Sequence, residues 1–570
     1  MEHTGHFSYL FRKYTQVRVA CFLAFAAIAI SIVVIVSFKN KPVPEITEIF
    51  PPVGSPGDVV VIKGKNFGEV RDMSYVEFAG SKLTASSYIS WSDNSIKLVL
   101  PSNIQDGLVV VGVNNQRSKP ALFANEVDIP VPVTQSFQTT KPVISSLSSS
   151  KLGIGSLLTI YGNNFGSSRG QSKICFTSDY DKAVSTASFT STSTLMSNIV
   201  SASDFDDDYE YWNNNEIRVR VPDGAYSGVV YVDTGREKSD PVEFTVNALA
   251  GTKSYNGKKV YLVQYSADIS DVMTTDVSTI TLRCPIPVTS PSQPVLEFTE
   301  ILPIPVLQNY QNCIIHQITK NRNNSPKSVF RQSFAVSVCE INTEVNLSGV
   351  GSYKNMNQVL YEKYTKADAV VPSDNEDLIA LVNEIVGKES NAYKKAQLIY
   401  NYIIDNYSVR DKLRKNDDDP LDLLKKTNKG DAYDYAVFFA ALCRAAGIPS
   451  LVNSGILIGQ DLTTQAHWWN EIYLYGFGWL PVDAALGDGL EYKSWNEHTS
   501  SDALDYYFGN LDSHHITFSR GYNDIKPFAQ DNKIVKYPKS FALQSIWEEA
   551  SSNTSKYSSY WSVPSIKGVY

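Results

Sequence analysis

The chain has 570 residues, enough for about four domains of ordinary size. Its 43% hydrophobic and 19% charged residues are a globular mix, which excludes disorder as the main state. The 51 basic and 59 acidic residues give a net charge of −8, which argues against a nucleic-acid partner because such proteins need a basic face. The six cysteines form no CxxC pair, which argues against a zinc cluster. We expect no metal and no cofactor. Whether Cys313 and Cys339 form a disulfide bridge is left open by the sequence.

The first predicted element is a membrane-spanning helix at 19–38. Val19 to Phe38 contains no charged residue, and at 1.5 Å per residue 20 residues span about 30 Å, one hydrocarbon core. A cleaved signal peptide is the alternative, but residues 36–40 make a poor cleavage site. The flank at 1–18 is too short to fold. We therefore expect a single-pass protein of the cell membrane with the bulk of its chain outside the cytoplasm.

An internal repeat follows the span. Gly64-Lys-Asn-Phe-Gly68 recurs as Gly162-Asn-Asn-Phe-Gly166, and each copy follows a β run. Further along, an alternating strand that ends in proline at Pro101 has its counterpart at Pro222. Short alternating strands with glycine turns are typical of sandwiches, so we predict all-β modules at 43–128 and 141–247.

Both repeats resemble the IPT/TIG family, whose fold is an immunoglobulin-like sandwich. The resemblance implies a role in spacing or binding and no catalysis. The second repeat carries an acidic insertion, Asp204 to Glu210. A calcium-binding EF-hand loop starting at Asp204 would need glycine at its sixth position and glutamate at its twelfth, but Tyr209 and Asn215 stand there. We therefore predict a solvated acidic loop.

The rest of the chain divides into a third β-rich unit at 250–348, an α+β domain at 365–525 and a polar, loosely attached tail at 526–570. In the α+β domain apolar residues recur with helical spacing, and three strands follow the helices. The predicted elements are helices at 374–387, 392–407, from Pro420, and 432–446, and strands at 451–458, 467–474 and 479–482.

Three separated segments of the α+β domain point to chemistry. They are Gly430-Asp-Ala-Tyr433 with the helix that ends before Gly447, then His467-Trp-Trp-Asn-Glu471, then Gly478-Trp-Leu-Pro-Val-Asp483. Together they resemble the bacterial transglutaminase-like family, which has a papain-type Cys-His-Asp site. In such a site a helix N-terminus lowers the pKa of the thiol, a histidine takes its proton and an aspartate orients the imidazole.

The resemblance assigns His467 as the base and Asp483 as the residue that orients it, with Tyr433, Trp468 and Trp469 lining the cleft. A packing histidine and a turn carboxylate are the structural alternatives for His467 and Asp483. The sequence departs from the family at the nucleophile, because Ala432 stands in the place of the cysteine. Cys443 is 11 residues further along the helix, about 16 Å away, too far to replace it.

We therefore predict a membrane-anchored extracytoplasmic protein with a catalytically inactive transglutaminase-like domain. Its partner is expected to be a protein, a peptide or a cell-wall ligand in a bacterial envelope. One alternative is an active transglutaminase or cysteine-protease-like hydrolase with an unusual nucleophile. Another is a structural or adhesion protein that uses its TIG domains. An engineered replacement of a natural cysteine by alanine at position 432 would give the same sequence.

Overall fold

The computed structural model describes residues 14–15, 43–83, 85–101, 104, 107–114, 116–125, 141–180, 198–269, 272–275, 277–321, 328–414, 419–492, 500–528 and 532–570. The membrane-spanning helix predicted at 19–38 and its flank at 1–18 fall almost wholly outside these ranges. Within the ranges, no helix is long and apolar enough to cross a membrane.

The first sandwich is built from ten short strands in two sheets. One sheet has the order β1-β3-β7-β6, and the other has the order β2-β10-β8-β4-β5 with β9 paired to β8. The strands are β1 Glu45–Phe50, β2 Val53–Gly54, β3 Val59–Lys65, β4 Tyr75–Phe78, β5 Ser81–Lys82, β6 Tyr88–Ser92, β7 Ser95–Val99, β8 Gly107–Val113, β9 Gln116–Arg117 and β10 Ala121–Asn125. Alternate residues of β3 and β7 (Val60, Ile62, Ile96 and Leu98) are fully buried between the sheets.

The second sandwich repeats this topology. Its sheets have the orders β11-β13-β17-β16 and β12-β19-β18-β14-β15. The strands are β11 Val143–Leu147, β12 Lys151–Leu152, β13 Leu157–Asn163, β14 Lys173–Ser178, β15 Ile199–Ser201, β16 Tyr209–Trp212, β17 Glu216–Arg220, β18 Ala225–Asp233 and β19 Val242–Val246. The shared strand order agrees with the internal repeat seen in the sequence.

The repeated glycine turn has the same geometry in both sandwiches. A Cβ on Gly64 would lie 2.0 Å from the carbonyl oxygen of Glu45, and a Cβ on Gly162 would lie 2.0 Å from that of Val143. Only glycine allows the first strand to pass this close. Asn66 adopts a φ of 62° in the first turn and Asn164 a φ of 65° in the second, the left-handed conformation that asparagine tolerates.

The rest of the chain consists of long strands followed by a region that contains the helices. We call residues 358–520 the helical domain. The strands before it are β20 Gly251–Asp268, β21 Val272–Thr274, β22 Ser278–Pro285, β23 Val295–Leu302, β24 Leu307–Tyr310, β25 Cys313–Lys320 and β26 Val329–Val345. The helices are α1 Gln358–Thr365, α2 Glu376–Val386, α3 Ala392–Asn406, α4 Pro420–Thr427, α5 Ala432–Ala445, α6 Ala484–Gly487 and α7 Ser500–Tyr506. The strands of the helical domain are β27 Ser408–Val409, β28 Lys429–Gly430, β29 Ser450–Ile458, β30 Thr464–Leu474, β31 Gly478–Val482 and β32 His515–Arg520.

The C-terminal segment is not the loose polar tail that the sequence predicted. It forms five strands: β33 Lys533–Val535, β34 Glu548–Ala550, β35 Thr554–Tyr557, β36 Tyr560–Trp561 and β37 Ser565–Val569. These complete three sheets of the third unit, in which β36 and β37 pair with β20, β35 pairs with β21, and β34 pairs with β22. We call strands β20–β26 and β33–β37 together the β unit.

The β unit and the helical domain share one hydrophobic core, although the sequence predicted separate domains at 250–348 and 365–525. The core joins residues of the β unit such as Tyr265 and Phe334 to residues of the helical domain such as Phe439 and Trp469. Phe541 lies between them, with its ring 5.1 Å from that of Tyr265 and 5.0 Å from that of Phe518. The sheet of the helical domain has the order β31-β30-β29-β32.

The acidic insertion of the second sandwich is solvated only in part: Asp204, Asp207 and Glu210 are exposed, but Asp206 and Asp208 are buried, contrary to the prediction. Asp206 and Asp208 are only 7% and 5% exposed. Asp206 accepts a 2.8 Å hydrogen bond from the indole of Trp479, and the guanidinium of Arg520 lies over the ring of Phe205. Burial raises the pKa of both carboxyl groups, against the opposing charge of Arg520 at Asp206. The insertion therefore fastens the second sandwich to the helical domain.

The cysteines in the described part of the chain are free thiols. Cys175, Cys284, Cys313, Cys339 and Cys443 are all buried, and none forms a disulfide. The possible bridge between Cys313 and Cys339 is therefore absent from the structure.

Candidate functional site

The N-terminus of α5 is held by its own side chains. Asp431 caps the helix by accepting from the backbone N–H of Asp434 at 3.1 Å, and Asp434 accepts in return from the N–H of Asp431 at 3.0 Å. Gly430 precedes them because a Cβ there would lie 2.8 Å from the Cβ of Asp434. Ala432 is the first residue of the helix and is 2% exposed. This is the end of the helix dipole that stabilises an anion.

His467 and Asp483 form a buried hydrogen-bonded pair. His467 lies on β30 and Asp483 directly follows β31, the neighbouring strand. The distance from His467 Nε2 to Asp483 Oδ2 is 2.6 Å, and both side chains are completely buried. Burial acts to raise the pKa of Asp483, but the charge and hydrogen bond of His467, aided by His515, outweigh it and hold that pKa well below its ordinary value. Asp483 is therefore ionised and accepts the Nε2 proton.

Helix α5 lies along β30, so that Ala432 and His467 are at the same end of the contact. The ring of Tyr433 packs on the ring of Trp468 at 5.4 Å. One helical turn later, the carbonyl of Ala436 accepts a 2.9 Å hydrogen bond from the side chain of Asn470. The two elements therefore run in the same direction, and the residues before these contacts are Ala432 and His467.

The second ring nitrogen of His467 has no partner among the described residues. Nδ1 is buried and makes no hydrogen bond with them, while Nε2 is committed to Asp483. In a cysteine site this is the nitrogen that would receive the thiol proton. An alanine methyl group can neither donate a proton to it nor accept one from it. The arrangement therefore pairs a buried imidazole with a carboxylate, and the side chain at position 432 cannot exchange a proton with that imidazole.

The structure adds a second histidine that the sequence analysis did not single out. His515 on β32 donates through Nε2 to Asp483 Oδ2 at 3.2 Å and through Nδ1 to Asp512 Oδ1 at 3.0 Å. Tyr507 donates to the other oxygen of Asp512 at 2.8 Å. Both ring nitrogens of His515 face carboxylates that only accept, so the ring carries two protons. Burial acts to lower its pKa, but Asp512 and Asp483 raise the pKa of His515 to about 9.

Within the described ranges, His467, Asp483 and His515 are the one group of side chains whose possible metal-ligating atoms lie close together. The ligand atoms of His467, Asp483 and His515 all lie within 4.8 Å of one another. The 2.6 Å separation of His467 Nε2 and Asp483 Oδ2 is that of a hydrogen bond, and both nitrogens of His515 hold protons. The geometry therefore fits a hydrogen-bonded relay better than a metal centre, and the absence of a metal stays a prediction.

Two of the three residues predicted to line a cleft are buried in this structure. Trp468 and Trp469 are each 1% exposed. Trp469 stacks on His467 at 6.0 Å and meets His515 edge to face at 5.0 Å. Tyr433, in contact with Trp468, is the one half-buried member of the set. In this conformation Ala432 and His467 are both closed to solvent, at 2% and 0% exposed.

Cys443 lies in the same helix but cannot replace the nucleophile. It is completely buried, and burial raises the pKa of its thiol well above the ordinary value. A buried protonated thiol is a poor nucleophile.

Two family models match the chain. Residues 379–484 match the transglutaminase-like superfamily, and residues 44–124 match the IPT/TIG domain. The transglutaminase-like resemblance is therefore confirmed at the level of the domain, and the IPT/TIG resemblance is confirmed for the first repeat. The chain carries a transglutaminase-like domain, within what we called the helical domain, and an IPT/TIG domain in its first sandwich.

Similarity to individual proteins is partial. An uncharacterized protein of Haemophilus influenzae is 28% identical over 184 residues, which is 28% of this chain and 50% of that protein. A cyclomaltodextrin glucanotransferase of Bacillus licheniformis is 36% identical over 62 residues, 11% of this chain and 8% of the enzyme. The chain thus spans half the length of the first relative and much less of the second.

Two solved structures are similar at low sequence identity. A candidate cysteine protease from Cytophaga hutchinsonii has 14% identity and a TM-score of 0.35, over 56% of this chain and 93% of that one. The periplasmic domain of TgpA from Pseudomonas aeruginosa has 16% identity and a TM-score of 0.25, over 48% of this chain and 79% of that one.

Proposed function

We propose that this protein is a non-catalytic member of the transglutaminase-like superfamily that binds a peptide, a protein or a cell-wall segment. The observation that carries the proposal is Ala432 at the first position of α5, together with a buried His467 whose Nδ1 has no partner in the described part of the chain. Acyl transfer by this chemistry needs a thiolate at that position.

No neighbouring residue of α5 supplies the missing nucleophile. The first ten residues of α5 contain no serine, threonine or cysteine. The carboxylates of Asp431 and Asp434 are occupied in the helix cap. This favours a binding protein over an active hydrolase with an unusual nucleophile.

We expect the purified full-length protein to show neither amine incorporation into glutamine peptides nor cleavage of envelope peptides. The physical reason is the absent thiolate, so His467→Ala should leave the background rate unchanged. The measurement is product formation by mass spectrometry, beside binding of the same peptides and of cell-wall fragments by calorimetry. Turnover by the native chain that is abolished in His467→Ala would overturn the proposal. Binding without turnover would support it.

Placement at the membrane belongs to the same proposal and is supported by the uncharged run from Val19 to Phe38. The full chain, expressed in a bacterial cell, should resist extraction with alkaline carbonate and dissolve only in detergent. Protease added from the outer side of the membrane should degrade the part of the chain beyond residue 43. Release by carbonate alone, or protection from the protease, would contradict the placement.

A structural or adhesion role is the second candidate. It is favoured by the complete burial of His467 and Asp483 and by the acidic insertion that fastens the second sandwich to the helical domain. This role would be selected if no peptide or cell-wall fragment binds the protein while the two sandwiches still bind a partner.

A further inference from the structure

The residues that follow Ala432 and His467 in the chain form an aromatic contact. Tyr433 follows Ala432, Trp468 follows His467, and their rings meet at 5.4 Å in a T-shaped contact. Trp468 is fixed, since it is 1% exposed and belongs to a central strand of the sheet. Tyr433 is half-buried on the first turn of α5 and is the outer member of the pair. Of the two rings, that of Tyr433 is therefore the one with room to move.

A lysine from the C-terminal segment lies over this outer ring. The ammonium group of Lys539 is 5.1 Å from the centre of the Tyr433 ring and 3.0 Å from Asp431 Oδ2. The next residue, Ser540, accepts a 2.8 Å hydrogen bond through its carbonyl from Ser454, which pairs with Trp468 across the sheet. Lys539 and Ser540 thus cross the outside of the Tyr433–Trp468 contact.

The chain that carries Lys539 is anchored on both sides. The hydroxyl groups of Tyr537 and Ser559 form a 2.7 Å hydrogen bond, and the ring of Tyr537 lies 5.5 Å from that of Trp547. Phe541, on the other side, is 2% exposed within the shared core. The backbone between these anchors is therefore fixed, and the lysine side chain is the part that can move.

Lys539 is held over the Tyr433 ring by the carboxylates of the helix cap. A cation at a helix N-terminus is disfavoured by the dipole, so Lys539 stays there through Asp431 at 3.0 Å and Asp434 at 3.8 Å. Without it Asp431 would keep two backbone donors, the N–H groups of Arg414 and Asp434, at 3.0 and 3.1 Å. The ion pair is also shielded from solvent, with the Lys539 side chain 12% exposed. Lys539 therefore links the helix cap to the outer face of the Tyr433 ring.

We propose that Tyr433 is a gate over the site at the N-terminus of α5 and that Lys539 is the latch that keeps the gate shut. A ligand of the site enters when Lys539 leaves Asp431 and the Tyr433 ring swings off Trp468. This inference rests on the proposed ligand-binding role of the domain, but the device can be measured without a ligand.

The test uses Ala432→Cys as a reporter behind the gate, in the full-length chain. Iodoacetamide labelling of the thiol introduced at position 432 is followed by mass spectrometry, with the chain lacking this substitution as the background for the native cysteines. Rates are compared at their high-pH plateau, so that changes in the pKa of the new thiol do not enter. Near-ultraviolet circular dichroism confirms that each variant keeps its tertiary structure.

Adding Lys539→Met to the reporter should raise the plateau rate by about tenfold, the effect of losing one charge-assisted contact. Lys539→Arg should leave the rate within about threefold, because the ion pair remains. Lys536→Met is the matched control, an exposed lysine of the same segment, and should have no effect. Lys539→Gln, which also removes the charge, replaces the methionine variant if that variant does not fold.

Tyr433→Ala distinguishes the two parts of the device, because it removes the gate and should label faster than either lysine variant. An accelerated Tyr433→Ala with unchanged Lys539→Met and Lys539→Gln would overturn the latch. An unchanged Tyr433→Ala would overturn the gate as well. Enzymatic turnover by the native chain would contradict the proposed function but would not alter these rates.

Discussion

Replacing Trp547 with alanine is expected to lower the free energy of unfolding by about 3–5 kcal/mol, the range for a large buried aromatic side chain. Trp547 is completely buried and directly precedes β34 in the chain. Its ring lies 5.2 Å from that of Phe541 and 4.9 Å from that of Trp561. Its indole N–H has no hydrogen-bond partner among the described residues, so the loss is one of packing alone.

The measurement is urea unfolding of the full chain, followed by near-ultraviolet circular dichroism. Trp547→Phe should lose much less, because the smaller ring keeps most of the contacts. Tyr560→Ala is the control in the same segment, since that side chain is 69% exposed, and it should change stability very little. Equal stability of Trp547→Ala and the native chain would mean that the C-terminal segment is the loose tail that the sequence predicted.

The native chain is expected to lose about 3 kcal/mol of stability as the pH rises from 6.5 to above 9, through His515. The cause is the difference between the ordinary pKa of 6.5 and the value of about 9 in the fold. Because the folded pKa is the higher one, the contribution is fully present below pH 6.5 and is lost as the pH rises through 9. Asp483 acts in the opposite range, since its lowered pKa makes its contribution disappear only under acidic conditions.

The test compares the unfolding free energies of the native chain and His515→Gln at five pH values from about 6 to about 10. The difference between the two isolates the contribution of His515. It should be largest at the lowest pH and shrink steadily toward the highest. His316→Gln is the control, because burial lowers the pKa of His316 to about 4 and the ring stays neutral throughout this range. A difference for His515→Gln that is independent of pH would show that His515 is not an imidazolium held between Asp512 and Asp483.

The sandwiches could be predicted from sequence because their signals are local. The turn around Gly64 and its copy around Gly162 need glycine for a contact within the same module, and alternating strands follow directly. The role of the C-terminal segment could not be predicted in this way. The strand β37 is only five residues long and pairs with β20, whose partner residues lie about 300 positions earlier. No periodicity within so short a strand identifies so distant a partner.

The candidate site was likewise predicted where its signals are local motifs and missed where it depends on contacts between distant segments. His467, Asp483 and the first residue of α5 were identified from three motifs, and the structure brings His467 and Asp483 within 2.6 Å. His515 was missed because its relation to Asp483 depends on the pairing of β32 with β29, which the sequence does not display. The pair Asp512 and His515, three residues apart, was the available signal. The contact of Lys539 with the Tyr433 ring was missed for a similar reason, since the two residues lie about 100 positions apart in the chain.

The pairing of β20 with β37 has a consequence for synthesis of the chain. The central sheet of the β unit, ordered β23-β26-β20-β36 with β37 also on β20, contains strands that precede and strands that follow the helical domain. A ribosome makes β36 and β37 last of these, so β20 must wait with one edge unpaired while the helical domain emerges. Both sandwiches can fold during that time, because all of their strands precede β20. The β unit is thus completed late in synthesis, and a nonsense codon ahead of β36 would leave an exposed strand edge.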